Sequence, residues 1–598
     1  MLIPGVSSGS KFVRCKLNIG NDFVLTLDNF HDVQWEGLAH CHLNPFCGLF
    51  YDAGLGKTAI GLTYLVQRLK HLSVSRRALV IAPIRVACQT WPNEIDEWQH
   101  LAGTEYQLIR AEDTDPLVKE FRADAYMRAR SGGLENWELD QYRGLLRTSL
   151  ERQWSEYWTA GLSPVFPRIE DLDRFDGQTN HMVQLHGQTG LPPEEADRAA
   201  GTLTTGFKDK LRRQQLRADV PLHFINREAL PWLVDALRER QEGCPYDDAI
   251  YDESSDLGDH NTERFKAMRA IRRDLKSFIQ MTATPAAEGY QKLFSQRWLM
   301  DLGKLWGNGI TNWREEHFTY NSRTFSYKLR KGHDKIIGSQ MADLGLVAKA
   351  EDHLPPVATG WADMTRKIEL GPELRELERQ FIETRILRLS DNFDPRTGIP
   401  EEFIDADNPA SLSQKLLQFC SGAVYDDKKV ARLIHDHKIE ELRQLMDELH
   451  GEPILLVYWW QSSLARLKKA FPKMAVMDTT GSQQEGWNKG KYPLLAVHPQ
   501  GSEFGLNLQK GPGHDIAIFD MFWSYEKWYQ IHKRLARQGQ TRPVRSWPLV
   551  VKGSADEIAV KRLQSKEDAQ NALFKYIMDM RAEIMGTPKE SSYADVFD

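Results

Sequence analysis

The chain has 598 residues, a length that at roughly 150 residues per domain implies several units and more than one buried core. Apolar residues make up 41% and charged residues 27%, a globular composition that excludes a disordered or fibrous chain. Lysine and arginine total 77 against 83 acids, a net charge of −6, so any nucleic-acid binding must come from a local basic groove and not from the field of the whole molecule.

The longest apolar run, Ile454 to Trp460, is far short of the roughly 18 residues a membrane-spanning helix needs. Met1 to Lys16 has no continuous apolar stretch of the signal-peptide kind. Six cysteines, Cys15, Cys41, Cys47, Cys88, Cys244 and Cys420, are scattered along the chain, which suits a reducing compartment better than a disulfide framework. These features predict a cytoplasmic protein with no membrane partner.

Gly48 to Tyr51 predicts a buried strand, and Gly54-Leu55-Gly56-Lys57-Thr58 follows it. Leu62, Leu65, Val66, Leu69 and Leu72 then recur at helical spacing. A glycine turn between strand and helix can aim backbone N–H groups at phosphate oxygens, with Lys57 neutralising charge and Thr58 able to ligate Mg²⁺. A strict P-loop asks for glycine at position 51, where Tyr51 stands; a glycine turn with a surface lysine is the alternative. His40, Cys41, His42 and Cys47 superficially resemble zinc ligands, but their spacing matches no closed site, so no zinc is predicted.

A second strand, Ala78 to Ala82, ends at Pro83. The rhythm then breaks into an insertion over about 112–215, with helical spacing at Leu139, Tyr142, Leu146, Leu150 and Tyr157 and a Gly/Pro/polar stretch from Gly161 to Gly206. Its Trp137, Trp154, Tyr157 and Trp158, beside Arg147 and Arg152, form either the core of a small helical bundle or a base-stacking surface. Strands return at Leu222 to Asn226, Ala249 to Glu253 and Phe278 to Thr282, closing a first lobe near residue 300. Asp252 and Glu253 sit at the C-terminal end of an apolar strand, where open α/β sheets handle ligands. Asp252 suits Mg²⁺ binding and Glu253 suits activation of water; two acids capping a helix near Ser254 is the other reading.

Residues 301–430 read as a helical, loop-rich connector. A helical stripe, Leu442, Leu445, Met446 and Leu449, precedes strands at Ile454 to Trp460, Ala475 to Met477, Leu494 to His498 and Ile516 to Phe519. Arg534 and Arg537, three apart, are predicted on one helical face able to reach across a cleft to a γ-phosphate; an ordinary solvated basic face is the alternative. Leu573, Ile577, Met580 and Ile584 suggest a terminal amphipathic helix. The predicted scheme is an α/β protein of two parallel-sheet lobes: an N-terminal extension (1–30), a first ATP-binding lobe (31–300), the connector, a second lobe (431–562) and a tail (563–598).

The order of these motifs resembles superfamily two helicases and translocases of the Swi/Snf-related type, especially bacteriophage and prophage versions. Phe30 to Gly37 is similar to the element whose glutamine, here Gln34, reads adenine; Gly54 to Thr58 matches motif I. Leu79 to Val86 with Thr90-Trp91-Pro92 matches the next motif, Asp252 to Ser255 motif II, and Thr282-Ala283-Thr284-Pro285 motif III. His498-Pro499 with Gly505 to Gln509 looks like motif V, and Gln530 to Gln540 like motif VI. The resemblance implies two RecA-like lobes and ATP with Mg²⁺ held by Gln34, Gly54, Leu55, Gly56, Lys57, Thr58, Asp252 and Gln530. It also implies catalysis by Lys57, Asp252, Glu253, Arg534 and Arg537, coupling by Thr282 and Thr284, and phosphate contacts to duplex DNA from Arg85, Gly505 and Asn507. The implied activity is ATP-driven movement on DNA serving phage replication, recombination or repair; the alternative is a nucleotide-gated DNA-binding motor subunit of a nuclease or restriction complex.

Overall fold

The structure, a computed structural model, describes residues 25–113, 115–131, 134, 138, 193–241, 243–322, 325–389, 403–406, 408–478, 481–499 and 506–567. Runs of β-branched and aromatic residues flanked by glycine, proline or polar turns form its strands. In chain order the first sheet takes β1 (Phe46–Tyr51), β2 (Ala78–Ala82), β3 (Tyr106–Ile109), β4 (Leu222–Asn226), β5 (Asp248–Asp252), β6 (Ser277–Met281) and β7 (Gly345–Ala348). Its seven strands lie in the order β3-β4-β2-β5-β6-β1-β7, every pair parallel.

Both faces of this sheet are covered, which is why its strands read as unbroken apolar runs and not as an alternating pattern. Leu49, Tyr51, Val80, Phe224, Ile250 and Met281 pack with the helices Asp32–Leu43 and Lys57–Val66. Leu79, Ile81, Ile225, Tyr251 and Phe278 pack on the other side with Leu230–Glu239 and Glu263–Ile271.

The second sheet holds β8 (Trp361–Asp363), β9 (Arg366–Ile368), β10 (Ile454–Val457), β11 (Ala475–Val476), β12 (Leu494–Val497), β13 (Asp515–Ile518) and β14 (Val544–Val551). The order is β8-β14-β13-β10-β12-β11, with β9 also on β14, again all parallel. The expected α/β architecture of two parallel-sheet lobes is therefore present. Among the described residues no helix is long and apolar enough to cross a membrane.

Five strands depart from the sequence expectation, among them β8 and β9, which lie in the stretch expected to be connector yet pair with β14 in the second sheet. Four-residue β3 and β7 are too short for a periodicity signal. β7 lies in the stretch expected to be connector, yet it pairs with β1 along the first sheet's edge. β14 contains Pro548, which argues against a central strand because proline cannot donate to the ladder; Pro548 falls between Ser546, the last partner of β8, and Leu549, the first partner of β9. The insertion differs too: the stretch expected to stay polar and irregular through Gly206 is helical from Pro193 to Leu216. Ala196, Ala199, Ala200 and Leu203 make a narrow stripe of mostly small residues on it, which packs against Ala125 and Ala129 of the helix Pro116–Ser131. Phe121 stacks on Phe207 at 4.1 Å. The aromatics predicted at 137, 154, 157 and 158 and the terminal helix beyond 567 lie outside the described residues.

Buried histidine makes the first lobe acid-sensitive. His223 on β4 bonds the Tyr246 hydroxyl through Nδ1 at 2.8 Å, and burial, with Arg77 nearby, pulls its pKa down to about 4. The unfolded chain then takes up a proton near pH 6.5 that the fold refuses, so this contribution to stability is complete above pH 6.5 and is lost as pH falls toward 4. In urea titrations, His223→Gln should be less stable than the parent at pH 7, and the gap should narrow by about 1.4 kcal/mol per pH unit between 6.5 and 4. A gap that stays constant with pH would show that the imidazole is protonated in the fold.

Candidate nucleotide site between the lobes

The loop after β1 turns because two of its residues take left-handed backbone, Gly54 at φ 91° and Gly56 at φ 75°, a region cheap only for glycine. Gly56 caps the helix Lys57–Val66, so the positive end of that helix opens at the loop. A Cβ on Gly56 would clash with the Gln34 Nε2; the predicted adenine reader thus lies directly on the glycine loop, its Oε1 accepting from the His31 N–H at 2.9 Å. Lys57 folds back over the loop, donating to the carbonyls of Tyr51 at 2.6 Å and Asp52 at 3.1 Å. Burial lowers its pKa, while Glu253, Asp252 and Asp52 oppose that effect.

Asp252 ends β5 and is buried. Its carboxylate accepts from the Trp91 indole N–H at 3.0 Å and from the Glu253 backbone N–H at 3.1 Å. Glu253 itself sits at φ 58°, a costly conformation for a side chain that is neither glycine nor asparagine, and its carboxylate accepts from the Thr282 hydroxyl at 3.3 Å. Thr282 in turn accepts from the Thr284 N–H at 3.1 Å. The pair predicted to couple is therefore wired to the acid predicted to activate water. Burial first, then the charges of Asp252 and Glu526, push the Glu253 pKa up to about 7, against Lys57 and Arg534.

The second lobe closes the site. The helix Tyr525–His532 starts at Ser524, whose hydroxyl accepts from the Lys527 N–H. Glu526 accepts from the Ser255 hydroxyl at 3.1 Å and from the Gln530 amide at 3.2 Å. Tyr529 donates to the Asp52 carboxylate at 2.8 Å, and Asp52 also accepts from the Ala350 N–H. Arg534 and Arg537 do not share a helical face as expected: the helix ends at His532 and both arginines lie in the irregular turn beyond it. His532 fixes that end, bonding Ser546 at 2.7 Å and stacking on Trp361 at 4.3 Å.

Both arginines nonetheless lie near enough to act on the groups of the site. Arg534 acts electrostatically on Glu253 and Arg537 on Lys57, while a Cβ on Gly54 would lie 3.7 Å from the Arg537 Cβ. Burial lowers the Arg537 pKa, with Glu94 opposing.

The residues assigned to a DNA track lie elsewhere. Arg85 is buried and donates to the Asp478 carbonyl at 2.6 Å, tying the first lobe to the second. The Asn507 N–H donates to the Gln484 amide oxygen at 3.0 Å and its carbonyl accepts from Asn488; Gly505 lies outside the described residues. The His/Cys cluster diverges: His40 meets the Leu344 carbonyl, His42 meets Gln67, and Cys41 and Cys47 are buried. Among the described residues no three or more His, Cys, Asp or Glu come together as a metal centre.

Sequence reasoning missed Trp91 as a ligand of Asp252, Asp52 and Tyr529 as a clasp, and Glu526 beside Glu253. Trp91 stood inside a matched motif, and Glu526 stands four residues before Gln530; that spacing on one helix face was the available signal.

The arrangement is that of a two-lobed α/β protein whose glycine loop and paired acids are approached by cations from the opposite lobe. No protein-family model matches the chain. It is similar to protein p41 of Acyrthosiphon pisum secondary endosymbiont phage 1, with 27% identity over 545 residues, 87% of this chain and 93% of that protein. Among solved structures it is similar to the Sulfolobus solfataricus SWI2/SNF2 ATPase core in complex with dsDNA, at 14% identity and a TM-score of 0.33, covering 93% of this chain and 97% of that one. The S. solfataricus SWI2/SNF2 ATPase core domain is similar at 15% identity and a TM-score of 0.33, covering 90% and 89%.

Replacing Trp91 by phenylalanine keeps the ring but removes the donor to a buried carboxylate. Trp91→Phe should therefore cost about 1–3 kcal/mol of stability at pH 8 in urea titrations; an unchanged midpoint would show that the Asp252 oxygen is satisfied without it.

Proposed function

We propose that the protein is an ATP-hydrolysing motor that moves on duplex DNA. The observation that carries this reading is the meeting of Lys57, Asp252 and Glu253 from one lobe with Arg534 and Arg537 from the other around a single phosphate loop. Lys57 and the Gly54–Gly56 loop bind the β- and γ-phosphates, and Gln34 reads the base, a role supported by the resemblance of Phe30 to Gly37 to the adenine-reading element and by the nearness of Gln34 to Gly56. Glu253 accepts the proton of the attacking water, and its raised pKa suits that role near neutral pH. Arg534 and Arg537 stabilise charge on the transferring phosphoryl group. Thr282, whose hydroxyl donates to Glu253 and accepts from the Thr284 N–H, carries the state of the site to its surroundings.

Asp252 and the Thr58 hydroxyl are hard oxygen donors of the kind Mg²⁺ prefers, and the Asp252 carboxylate is held in place by Trp91 and its own neighbour's N–H, so the residues fit that ion. Bound there, Mg²⁺ would neutralise phosphate charge and orient the triphosphate. The DNA part of the reading is supported by the motif order from Gln34 to Gln540, which resembles Swi/Snf-type translocases. A place in phage DNA replication, recombination or repair is supported by the likeness to a phage protein. A second reading, a nucleotide-gated DNA clamp within a nuclease or restriction complex, draws on the clasps Tyr529–Asp52 and Arg85–Asp478, which already hold the lobes together.

Lys57→Ala should abolish ATP turnover, and Glu253→Gln should lower kcat by at least about a hundredfold while ATP still binds. ATPase rate should rise with added duplex DNA and more weakly with RNA or single strands; turnover indifferent to every nucleic acid would sink the motor reading. Triplex displacement separates the two readings, because only a translocating enzyme strips the third strand in an ATP-dependent way.

A further inference from the structure

Beyond the cleft, one feature of the stretch expected to be plain connector is built like a contact surface. The strands Phe318–Asn321 and Ser326–Leu329 form an antiparallel hairpin that stands apart from both large sheets. From Phe318 to Lys331 the sequence holds four basic residues and no acidic one, in a protein whose net charge is −6. At its base, Phe318 is buried with Trp313, Ile337 and Met341, and Arg330 donates to the carbonyls of Phe318 at 3.1 Å and Glu315 at 2.8 Å. The Arg314 guanidinium lies 4.9 Å above the Tyr327 ring. The base is anchored.

The tip is different. Tyr320 pairs with Tyr327 across the strands, ring centroids 5.0 Å apart, and this aromatic face runs out of the core into solvent, with Tyr320 49% and Phe325 80% exposed. Phe325 also sits at φ 50°, so a bulky side chain is held in an unfavourable backbone conformation without gaining burial. Lys328 and Lys331 are exposed close by in the chain. A single exposed ring is ordinary on a protein surface. Here exposed rings, an excess of cations and backbone strain coincide on one anchored projection.

Bases offer flat faces to aromatic rings, and phosphates pair with cations that have no competing acid. An apolar protein partner would not call for the cations that accompany these rings. We propose that the hairpin is a stacking platform for unpaired DNA bases, with Tyr320 and Phe325 covering the bases and Lys328 and Lys331 holding the adjoining phosphates. This rests on the reading of the protein as a DNA motor and adds a site that distinguishes open DNA ends from continuous duplex.

The test uses the full chain with a blunt duplex and a forked duplex of equal paired length, the fork carrying 2-aminopurine in one arm. The parent should bind the fork more tightly and alter the 2-aminopurine emission. The double variant Tyr320→Ser/Phe325→Ser should bind the fork roughly tenfold more weakly, lose the emission change and bind the blunt duplex within about twofold of the parent. Lys328→Glu/Lys331→Glu should flatten the salt dependence of fork binding by about one to two in log–log slope. A serine variant that binds the fork as the parent does, or weakens equally on both DNAs, overturns the proposal. Parent protein whose ATPase ignores both DNAs would instead overturn the motor reading itself.

Discussion

Neither lobe balances its own charge at the cleft between the two sheets. The first lobe brings Asp52, Asp252 and Glu253 to the glycine loop, against Lys57 and, at Asp252, Arg227. The second brings Lys533, Arg534 and Arg537 toward the same place, with Glu526 as its acid. Charges held away from water are costly unless paired, and a buried group left without its partner costs more than the pair contributes. Docking of the lobes is therefore the condition under which these ionised groups can share one site. Burial nevertheless leaves its mark: it lowers the pKa values of Lys57 and Arg537 and raises those of Asp252 and Glu253.

Besides the surface pair Lys566–Glu288, the hydrogen bonds across the cleft attach to segments of the candidate site and to the end of β2. Tyr529 reaches Asp52, two residues before the glycine loop. Glu526 reaches Ser255, two residues beyond Glu253. Arg85, at the end of β2, reaches the backbone of Asp478 beyond β11. A change in the spacing of the sheets thus acts on the loop, the acids and the β2 end together, because each is held by a short, directional bond. Thr282 adds the internal link, since its hydroxyl bridges the Glu253 carboxylate and the Thr284 N–H.

What the sequence made legible was local. The loop Gly54 to Thr58 is a contiguous pattern whose geometry follows from two glycines and a helix start, and the central strands of both sheets announce themselves as apolar runs because both faces are buried. Asp252 and Glu253 were readable for the same reason, standing at the end of such a run. Groups that work only through docking were not: Trp91 becomes a ligand of Asp252 only when its helix lies against β5, and Glu526 approaches Glu253 only when the second sheet arrives. β7 was hidden by its length of four residues and β14 by Pro548, whose lack of an N–H is harmless at the break between β8 and β9.

The arginines show why docking matters more than periodicity here. A helical spacing of three suggested a shared face, yet the helix stops at His532. That stop is enforced from the second sheet: His532 is clamped between the Ser546 hydroxyl of β14 and the Trp361 ring of β8, and Lys533 donates to the Thr359 carbonyl at 2.6 Å. The turn that follows is consequently attached to the edge of the second sheet, while its other side touches Gly54. A continued helix would have set the directions of Arg534 and Arg537 by its own axis. A turn anchored on β8 and β14 sets them by the position of the second sheet, so the two cations approach the glycine loop only as far as the sheets approach each other.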